Sequence, residues 1–190
     1  MIRVVNKHLY LLIPAILAGF STAQAGNFQM DPDASVLAVD AKASPPHTFT
    51  SEAKQFDCDI TIDPASLEVT SATCSFAFAD LDSGKPKRDK KMRDWMDIEA
   101  HPVARFELSD VRMEDGQSIA AGKFTMHGTS REIEVPFTVQ RDGDRIVLDG
   151  HSEFSYEDWD LKIIRMFIFS VNPDLKPRFH LEGTLSNGNE

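Results

Sequence analysis

The sequence has 190 residues, enough for one domain with a sizeable hydrophobic core. It carries 20 basic and 30 acidic residues, a formal net charge of −10 at pH 7. Because an acidic surface repels phosphate groups, this charge argues against nucleic acid as a partner and against general adsorption to anionic membranes.

The first residues have the pattern of a secretory signal peptide. Arg3 and Lys7 form a basic start, Leu9 to Phe20 form an apolar run, and Ala23-Gln24-Ala25 supplies small residues for a cleavage site. The apolar run is shorter than the ~20 residues that a membrane-spanning helix needs, which disfavours the alternative of a membrane anchor. We therefore expect residues 1–25 to be removed after Ala25, leaving a periplasmic or secreted protein.

A period of two in the following stretch predicts a β-hairpin that carries both cysteines. Inward residues alternate with polar or small ones on either side of a turn at residues 63–66: Phe56, Cys58, Ile60, Ile62, Ala72, Cys74, Phe76 and Phe78. Antiparallel pairing about this turn would place Cys58 opposite Cys74 on one face. In an exported protein this geometry favours a disulfide, with two free buried thiols as the alternative.

Alternation continues along the chain and predicts further strands. Their apolar members are Ala104, Phe106, Leu108, Phe124, Met126, Ile133, Val135, Phe137, Val139, Ile146, Leu148, Phe154, Phe179, Leu181 and Leu185. With Val36 to Ala41 as the first strand, about eight strands result. The sequence thus predicts an all-β, eight-stranded antiparallel barrel, the size at which an interior can hold one small ligand. We expect the residues just after the cleavage site, and Ser186 to Glu190, to fray.

Two segments interrupt the alternation. Lys85 to Met96 is charged and helix-prone, with Met92, Trp95 and Met96 at helical spacing on one face. Trp159 to Val171 is unusually apolar for a connection. The first predicts a short helix between strands 3 and 4, and neither segment has the composition of a solvated loop.

Motifs for catalysis or metal binding are missing from the sequence. It has no nucleophile elbow, Walker loop or dinucleotide fingerprint. Outside the first 25 residues the histidines lack metal-ligand spacing: His47, His101, His127, His151 and His180. We expect neither an enzyme nor a metal site, although catalytic residues that converge only in space remain an alternative. The 13 phenylalanines and seven methionines are either plain core or the lining of a cavity.

Several stretches, taken in order, resemble one known family. They are Met30-Asp31-Pro32, Asp80 to Gly84, Lys87 to Met92, Trp95-Met96, Glu99 to Pro102, Arg105-Phe106, Gly122 to Arg131, and Tyr156, Asp158 and Leu161. Together they resemble the YceI-like family, bacterial exported proteins with a lipocalin-like barrel that bind polyisoprenoid lipids. The sequence departs from the family pattern at Asp40-Ala41, at Pro45-Pro46-His47, at Asp160-Leu161-Lys162 and in its two cysteines.

The resemblance implies a lipocalin-like barrel domain over residues 26–190. It also implies a periplasmic carrier that holds a long apolar ligand, a polyisoprenoid or an isoprenoid quinone, with no cofactor apart from such a bound lipid and no stable membrane insertion. The alternative is an interaction or stress-protection protein whose barrel is filled by its own side chains. The helix and Trp159 to Val171 are the candidate covers of the barrel. The predicted ligand contacts are Phe56, Phe76, Phe78, Met92, Trp95, Met96, Phe106, Phe124, Phe137 and Phe154.

Overall fold

A computed structural model describes residues 25–166 and 168–187, so the predicted signal peptide lies outside the described residues except for Ala25. One α-helix, α1, covers Pro86–Met96, and two 3-10 helices cover Phe78–Asp80 and Tyr156–Trp159 in this part of the chain. The strands are β1 (Gly26–Met30), β2 (Val36–Ser44), β3 (His47–Ala53), β4 (Asp57–Ile62), β5 (Val69–Ala77), β6 (Leu81–Asp82), β7 (Val103–Glu114), β8 (Gln117–Met126), β9 (Thr129–Asp142), β10 (Arg145–His151), β11 (Phe154–Ser155), β12 (Arg165–Met166) and β13 (Phe169–Asn187).

Eight of these strands close into a ring. Their order is β1, β4, β5, β7, β8, β9, β10 and β13, and β13 pairs back onto β1. The pairings around the ring are antiparallel. The structure therefore confirms the predicted all-β, eight-stranded antiparallel barrel. It also confirms the position of the helix, because α1 lies between β5 and β7, which contain the predicted third and fourth strands.

The remaining strands extend one end of the barrel. Beyond β1, the long β13 pairs with β2, which in turn pairs with β3, and the short β6 pairs with β3. On the opposite edge of β13 lie β11 and β12. Since α1 begins a few residues after β6, the helix starts at this extended end.

The barrel begins earlier in the chain than the sequence predicted. We expected Val36 to Ala41 as the first strand and frayed residues just after the cleavage site, yet Gly26–Met30 form β1 and pair with residues 183–187 of β13. Ser186 and Asn187 lie in this pairing, so the expectation that they fray was also wrong, and the rest of that predicted frayed end, residues 188–190, lies outside the described residues. Burial explains the difference: Phe28 is 4% exposed, and packing of its ring stabilises a strand that would otherwise fray.

Buried side chains form two clusters. The far-end cluster comprises Phe28, Ile60, Ile62, Val69, Ala120, Phe137, Ile146, Leu148 and Leu181. The helix-end cluster packs against α1 and comprises Ala53, Phe78, Leu81, Met96, Ala104, Met126, Tyr156, Trp159 and Leu161. The barrel interior is thus organised into two ends of different composition.

Candidate ligand-binding cavity

A cavity of about 540 Å³ occupies the barrel interior and contacts members of both clusters. This volume falls within the ~300–1,000 Å³ typical of small-molecule sites. The cavity wall includes all ten residues that the sequence analysis selected: Phe56, Phe76, Phe78, Met92, Trp95, Met96, Phe106, Phe124, Phe137 and Phe154. The structure therefore brings these residues around one space, whereas their contact with a ligand stays a prediction.

Strand register explains why the wall is apolar. Cys58 lies opposite Cys74 across β4 and β5, Cys74 lies opposite Phe106 across β5 and β7, and Phe106 lies opposite Phe124 across β7 and β8. Directly opposed residues share a face of the sheet, so this row crosses four strands on the inside of the barrel. The predicted Cys58–Cys74 disulfide is present in this row, with the two Cα atoms 4.2 Å apart.

Aromatic side chains with satisfied polar atoms shape the helix end of the cavity. The Trp159 ring packs against Phe124 and Phe154, with ring centroids 5.7 and 4.8 Å away, and its Nε1 donates to the Phe124 carbonyl oxygen at 3.2 Å. The buried Tyr156 hydroxyl donates to the Val171 carbonyl oxygen at 2.9 Å. Burial raises the pKa of Tyr156, which keeps this hydroxyl protonated as a donor. The alternation analysis missed Tyr156 as a wall residue because it lies in a 3-10 helix.

The two candidate covers lie together at the helix end. The Trp95 indole Nε1 donates to the Lys162 carbonyl oxygen at 2.7 Å, which ties α1 to the segment between Trp159 and Val171. The start of that segment is buried, but its hairpin tip is not, since Ile168 is 77% exposed and Phe169 is 41% exposed. Phe169 also lines the cavity. The helix end therefore combines a partial cover with an exposed apolar tip.

Positive charge lines the same end of the cavity. We call the following four residues, which belong to α1 or directly precede it, the basic rim: Lys85, Lys87, Arg88 and Lys91. The Arg88 guanidinium lies 4.1 Å from the centroid of the Phe49 ring, and its Nε donates to the Ser83 hydroxyl at 2.7 Å. The sequence analysis missed the rim because it interpreted this segment by the spacing of its apolar residues.

Residues 25–166 and 168–187 contain neither a cluster of potential metal ligands nor a helix suited to span a membrane. No group of three or more His, Cys, Asp or Glu side chains in these residues is placed to hold a metal ion. His101 and His127 do lie side by side, with ring centroids 4.6 Å apart. Across the same residues, no helix has both the length and the apolar character needed to cross a membrane.

The barrel, its helix and the order of its sequence motifs agree with one family. Residues 28–182 match the family model of the YceI-like domain. The chain belongs to the YceI-like family. The match extends from β1 into β13 and so includes every strand of the ring. It confirms the resemblance that the sequence motifs indicated.

Relatives of known sequence match part of this YceI-like chain. A UPF0312 protein of Photorhabdus laumondii is 27% identical over 82 residues, which are 42% of this chain and 43% of that protein. UPF0312 proteins of Vibrio cholerae are 30% identical over 84 residues, 43% of this chain and 44% of theirs. The matched part therefore covers less than half the length of these relatives.

Solved structures share the fold of this YceI-like barrel. The crystal structure of Burkholderia cenocepacia BcnA is 23% identical, with a TM-score of 0.73, and the superposition covers 82% of this chain and 100% of BcnA. A polyisoprenoid binding domain from Saccharophagus degradans, implicated in plant cell wall breakdown, is 14% identical, with a TM-score of 0.62 over 86% of this chain and 99% of that domain. At these identities the likeness shows a shared architecture.

Proposed function

We propose that this chain is an exported carrier that holds a long apolar ligand, a polyisoprenoid or an isoprenoid quinone, inside the barrel. The observation that carries the proposal is the apolar cavity of about 540 Å³ that contacts both core clusters. The alternative is a role in interaction or stress protection by a barrel that its own side chains fill. Such a barrel would be close-packed and would not contain a cavity of this size. Membership of the YceI-like family and the polyisoprenoid binding domain among its structural neighbours support the same proposal.

The physical basis of binding is the transfer of an isoprenoid chain out of water. Each square ångström of apolar surface removed from water contributes ~25 cal/mol, and an isoprenoid chain needs no hydrogen-bond partner. Phenylalanine, isoleucine and methionine side chains provide such surroundings along the wall, for example Phe76, Ile60 and Met126. The affinity of this cavity should therefore increase with chain length until the space is filled.

Two features of the cavity wall fit binding without catalysis. Its buried Tyr156 hydroxyl is already engaged with a backbone carbonyl, and the disulfide leaves neither cysteine as a nucleophile. Export after cleavage near Ala25 is part of the proposal, because a structural disulfide persists in oxidising compartments such as the periplasm.

The carrier proposal is tested by extracting purified, exported protein with organic solvent and analysing the extract by mass spectrometry. We expect an isoprenoid lipid to copurify, or the delipidated protein to bind an added polyprenol. If the extract contains no lipid and added polyprenols and quinones do not bind, the carrier function is wrong.

Obstructing the cavity provides a more specific test. Phe124→Trp keeps the wall apolar but fills part of the space, so we expect less bound lipid and a stability loss of ~1–3 kcal/mol from overpacking. Lys123→Trp is the matched control, because Lys123 is the exposed neighbour on β8 and is not part of the wall. Unchanged lipid content in folded Phe124→Trp protein would place the ligand elsewhere.

A further inference from the structure

The hairpin formed by β12 and β13 exposes apolar surface beside the cavity. The two strands pair directly on either side of the turn that contains Ile168. Ile168 is 77% exposed, the largest fraction among the large apolar side chains that the structure describes, and the adjacent Phe169 is 41% exposed. Single exposed apolar side chains need no explanation, but neighbouring ones indicate a surface that contacts something other than water.

Hydrogen bonds hold this hairpin tip in place. At the base of the hairpin, the Val171 backbone N–H donates to the Ile164 carbonyl oxygen at 3.0 Å. The Tyr156 hydroxyl accepts from the Ile164 N–H at 3.4 Å and donates to the Val171 carbonyl oxygen at 2.9 Å. The fold therefore presents Ile168 to solvent at a fixed position.

The hairpin is basic although the chain as a whole is acidic. The sequence has 30 acidic residues, yet residues 161–173 contain none and include Lys162 and Arg165. Both of these residues are exposed, and no carboxylate oxygen of the described residues lies within 4.0 Å of their charged groups. Neither residue lines the cavity, so their charges belong to the outer surface of the protein.

The neighbouring hairpin also lacks acidic residues. Ser170 of β13 pairs with Ser44 of β2, which places the turn between β2 and β3 next to the tip. Residues 41–51 of that hairpin contain no Asp or Glu. The basic rim lies at the same end of the cavity. This end of the barrel therefore combines an apolar tip with basic side chains.

An anionic lipid surface fits this combination better than a protein partner does. A stable protein interface buries about 800 Å² on each partner, far more than one hairpin tip offers. A membrane surface accepts a small apolar anchor, which enters ~5–10 Å into the boundary between head groups and acyl chains, while basic residues beside the anchor attract anionic lipids. The net charge of −10 disfavours adsorption of the remaining surface, which confines contact to this end.

We propose that this end of the barrel docks on an anionic lipid bilayer, with Ile168 and Phe169 in the interface and Lys162 and Arg165 against the lipid phosphates. Docking is peripheral and reversible, because one hairpin tip is far smaller than a membrane-spanning segment. The inference goes beyond the carrier function and does not depend on it, since no ligand has to occupy the cavity. Docking would place the part of the cavity that Phe169 lines against the membrane.

Sedimentation with vesicles tests docking of the exported, processed protein. One set of vesicles is phosphatidylcholine alone, and the other also contains phosphatidylglycerol. We expect preferential binding to the anionic vesicles at low ionic strength, with an affinity that falls as added salt screens the basic residues. Lys162→Gln/Arg165→Gln should lower this affinity by about tenfold. Binding of geranylgeraniol without vesicles should stay as in the wild type, because neither residue lines the cavity.

The apolar contact is tested at Ile168. Ile168→Asp should lower the affinity for anionic vesicles by about tenfold, because it replaces the apolar anchor with a charge that these lipids repel. Met113→Asp is the matched control, since Met113 is 67% exposed and lies near the end of β7 that is distant from α1. The control should bind vesicles as the wild type does.

A third variant keeps the tip apolar and reports its position. The fluorescence of Ile168→Trp protein should be quenched by vesicles whose acyl chains carry bromine, beyond the quenching seen in the wild type. Met113→Trp should show no such increase, because it lies away from the proposed docking surface. Circular dichroism checks that each variant is folded.

The outcomes separate docking from the carrier function. Wild-type protein that binds neither set of vesicles, or binds both equally, overturns the docking proposal. Equal losses in Ile168→Asp and Met113→Asp, or no added quenching in Ile168→Trp, also overturn it. If a partner protein binds through Ile168 while vesicles do not bind, the tip is a protein interface and the proposal is wrong. Vesicle binding without any binding of geranylgeraniol contradicts the carrier function and leaves docking in place.

Discussion

The two ends of the barrel are built differently. At the far end, Phe28, Ile62 and Ile146 are almost fully buried and lie outside the cavity wall, so they fill the barrel with apolar side chains. At the helix end, the large side chains of Tyr156 and Trp159 are equally buried, but each is held by a hydrogen bond to a backbone carbonyl. Apolar side chains thus fill the far end, whereas the cavity opens at the helix end.

Under the proposed carrier function, the two ends have different roles. Dense apolar packing fills the far end, which the proposed ligand does not need to pass. At the helix end, hydrogen bonds fix the orientation of aromatic rings around an opening that also carries exposed charge and the exposed Ile168. A side chain at the far end should therefore contribute more to stability than a wall side chain beside the opening.

The largest expected effect is a cavity made at the far end. Ile62→Ala should lower the free energy of unfolding by about 2–5 kcal/mol, because Ile62 is completely buried and its truncation leaves a gap among packed neighbours. Met92→Ala, in the half-buried wall near the opening, should cost less than about 1 kcal/mol, since it enlarges an existing space. Urea unfolding monitored by circular dichroism measures both. Equal losses would contradict the division of the barrel into two different ends.

Reduction of the disulfide should have the next largest effect. The Cys58–Cys74 bridge closes a loop with a sequence separation of 16, for which the chain-entropy model gives ~3 kcal/mol of stabilisation. Unfolding of reduced and oxidised protein in urea measures the difference, with Cys58→Ala/Cys74→Ala as the non-reducible reference. Quantitative labelling of both thiols in denatured, unreduced protein would show that the bridge is absent from the purified protein.

The sequence predicted features that repeat locally. A period of two identified the inward phenylalanines, such as Phe106 and Phe124, and hairpin register placed Cys58 opposite Cys74. β1 was missed because it is only five residues long and its two partners, β4 and β13, lie far from it in the sequence. A local pattern cannot show such pairings, since the burial that stabilises β1 depends on these distant residues.

The candidate site shows the same limit. The apolar face of α1 was predicted from helical spacing, but the position of Lys87 and Lys91 at the rim of the cavity depends on how α1 lies against the barrel. Likewise, Tyr156 and Trp159 donate to the backbone carbonyl oxygens of Val171 and Phe124. Every residue has such a carbonyl, so the sequence does not indicate which one accepts the hydrogen bond. Residues on regular elements could thus be predicted, whereas groups defined by neighbours distant in the sequence could not.

A smaller effect is expected from one hydrogen bond at the helix end. Tyr156→Phe removes the hydroxyl that donates to the Val171 carbonyl oxygen and leaves that oxygen without this partner, at a cost of ~1–2 kcal/mol. Thermal unfolding measures the loss. Under the proposed carrier function, bound lipid should also decrease, because the lost hydrogen bond joins two residues of the cavity wall. If stability is unchanged, the hydrogen bond contributes little to holding this end together.

The smallest effect concerns a titratable group on β13, His180. The His180 Nδ1 lies 2.7 Å from an Asp149 carboxylate oxygen, and its Nε2 lies 2.8 Å from a Glu182 oxygen. The hydrogen bond with Asp149, and to a lesser extent that with Glu182, raises the pKa of His180 above its ordinary value of 6.5. Arg145 and then His180 lower the pKa of Glu182.

The sign of the pH dependence follows from these directions. The stabilisation from His180 is fully present below pH 6.5 and is lost as the pH rises through the raised pKa of the folded state. The difference in melting temperature between the wild type and His180→Gln should therefore be larger at pH 6 than at pH 9. Because the site is partly exposed, this difference should be smaller than the loss caused by Tyr156→Phe. Asp149→Asn should move the His180 titration, followed by NMR, back toward 6.5. A His180 that titrates at or below 6.5 in the wild type would contradict this charge contribution to stability.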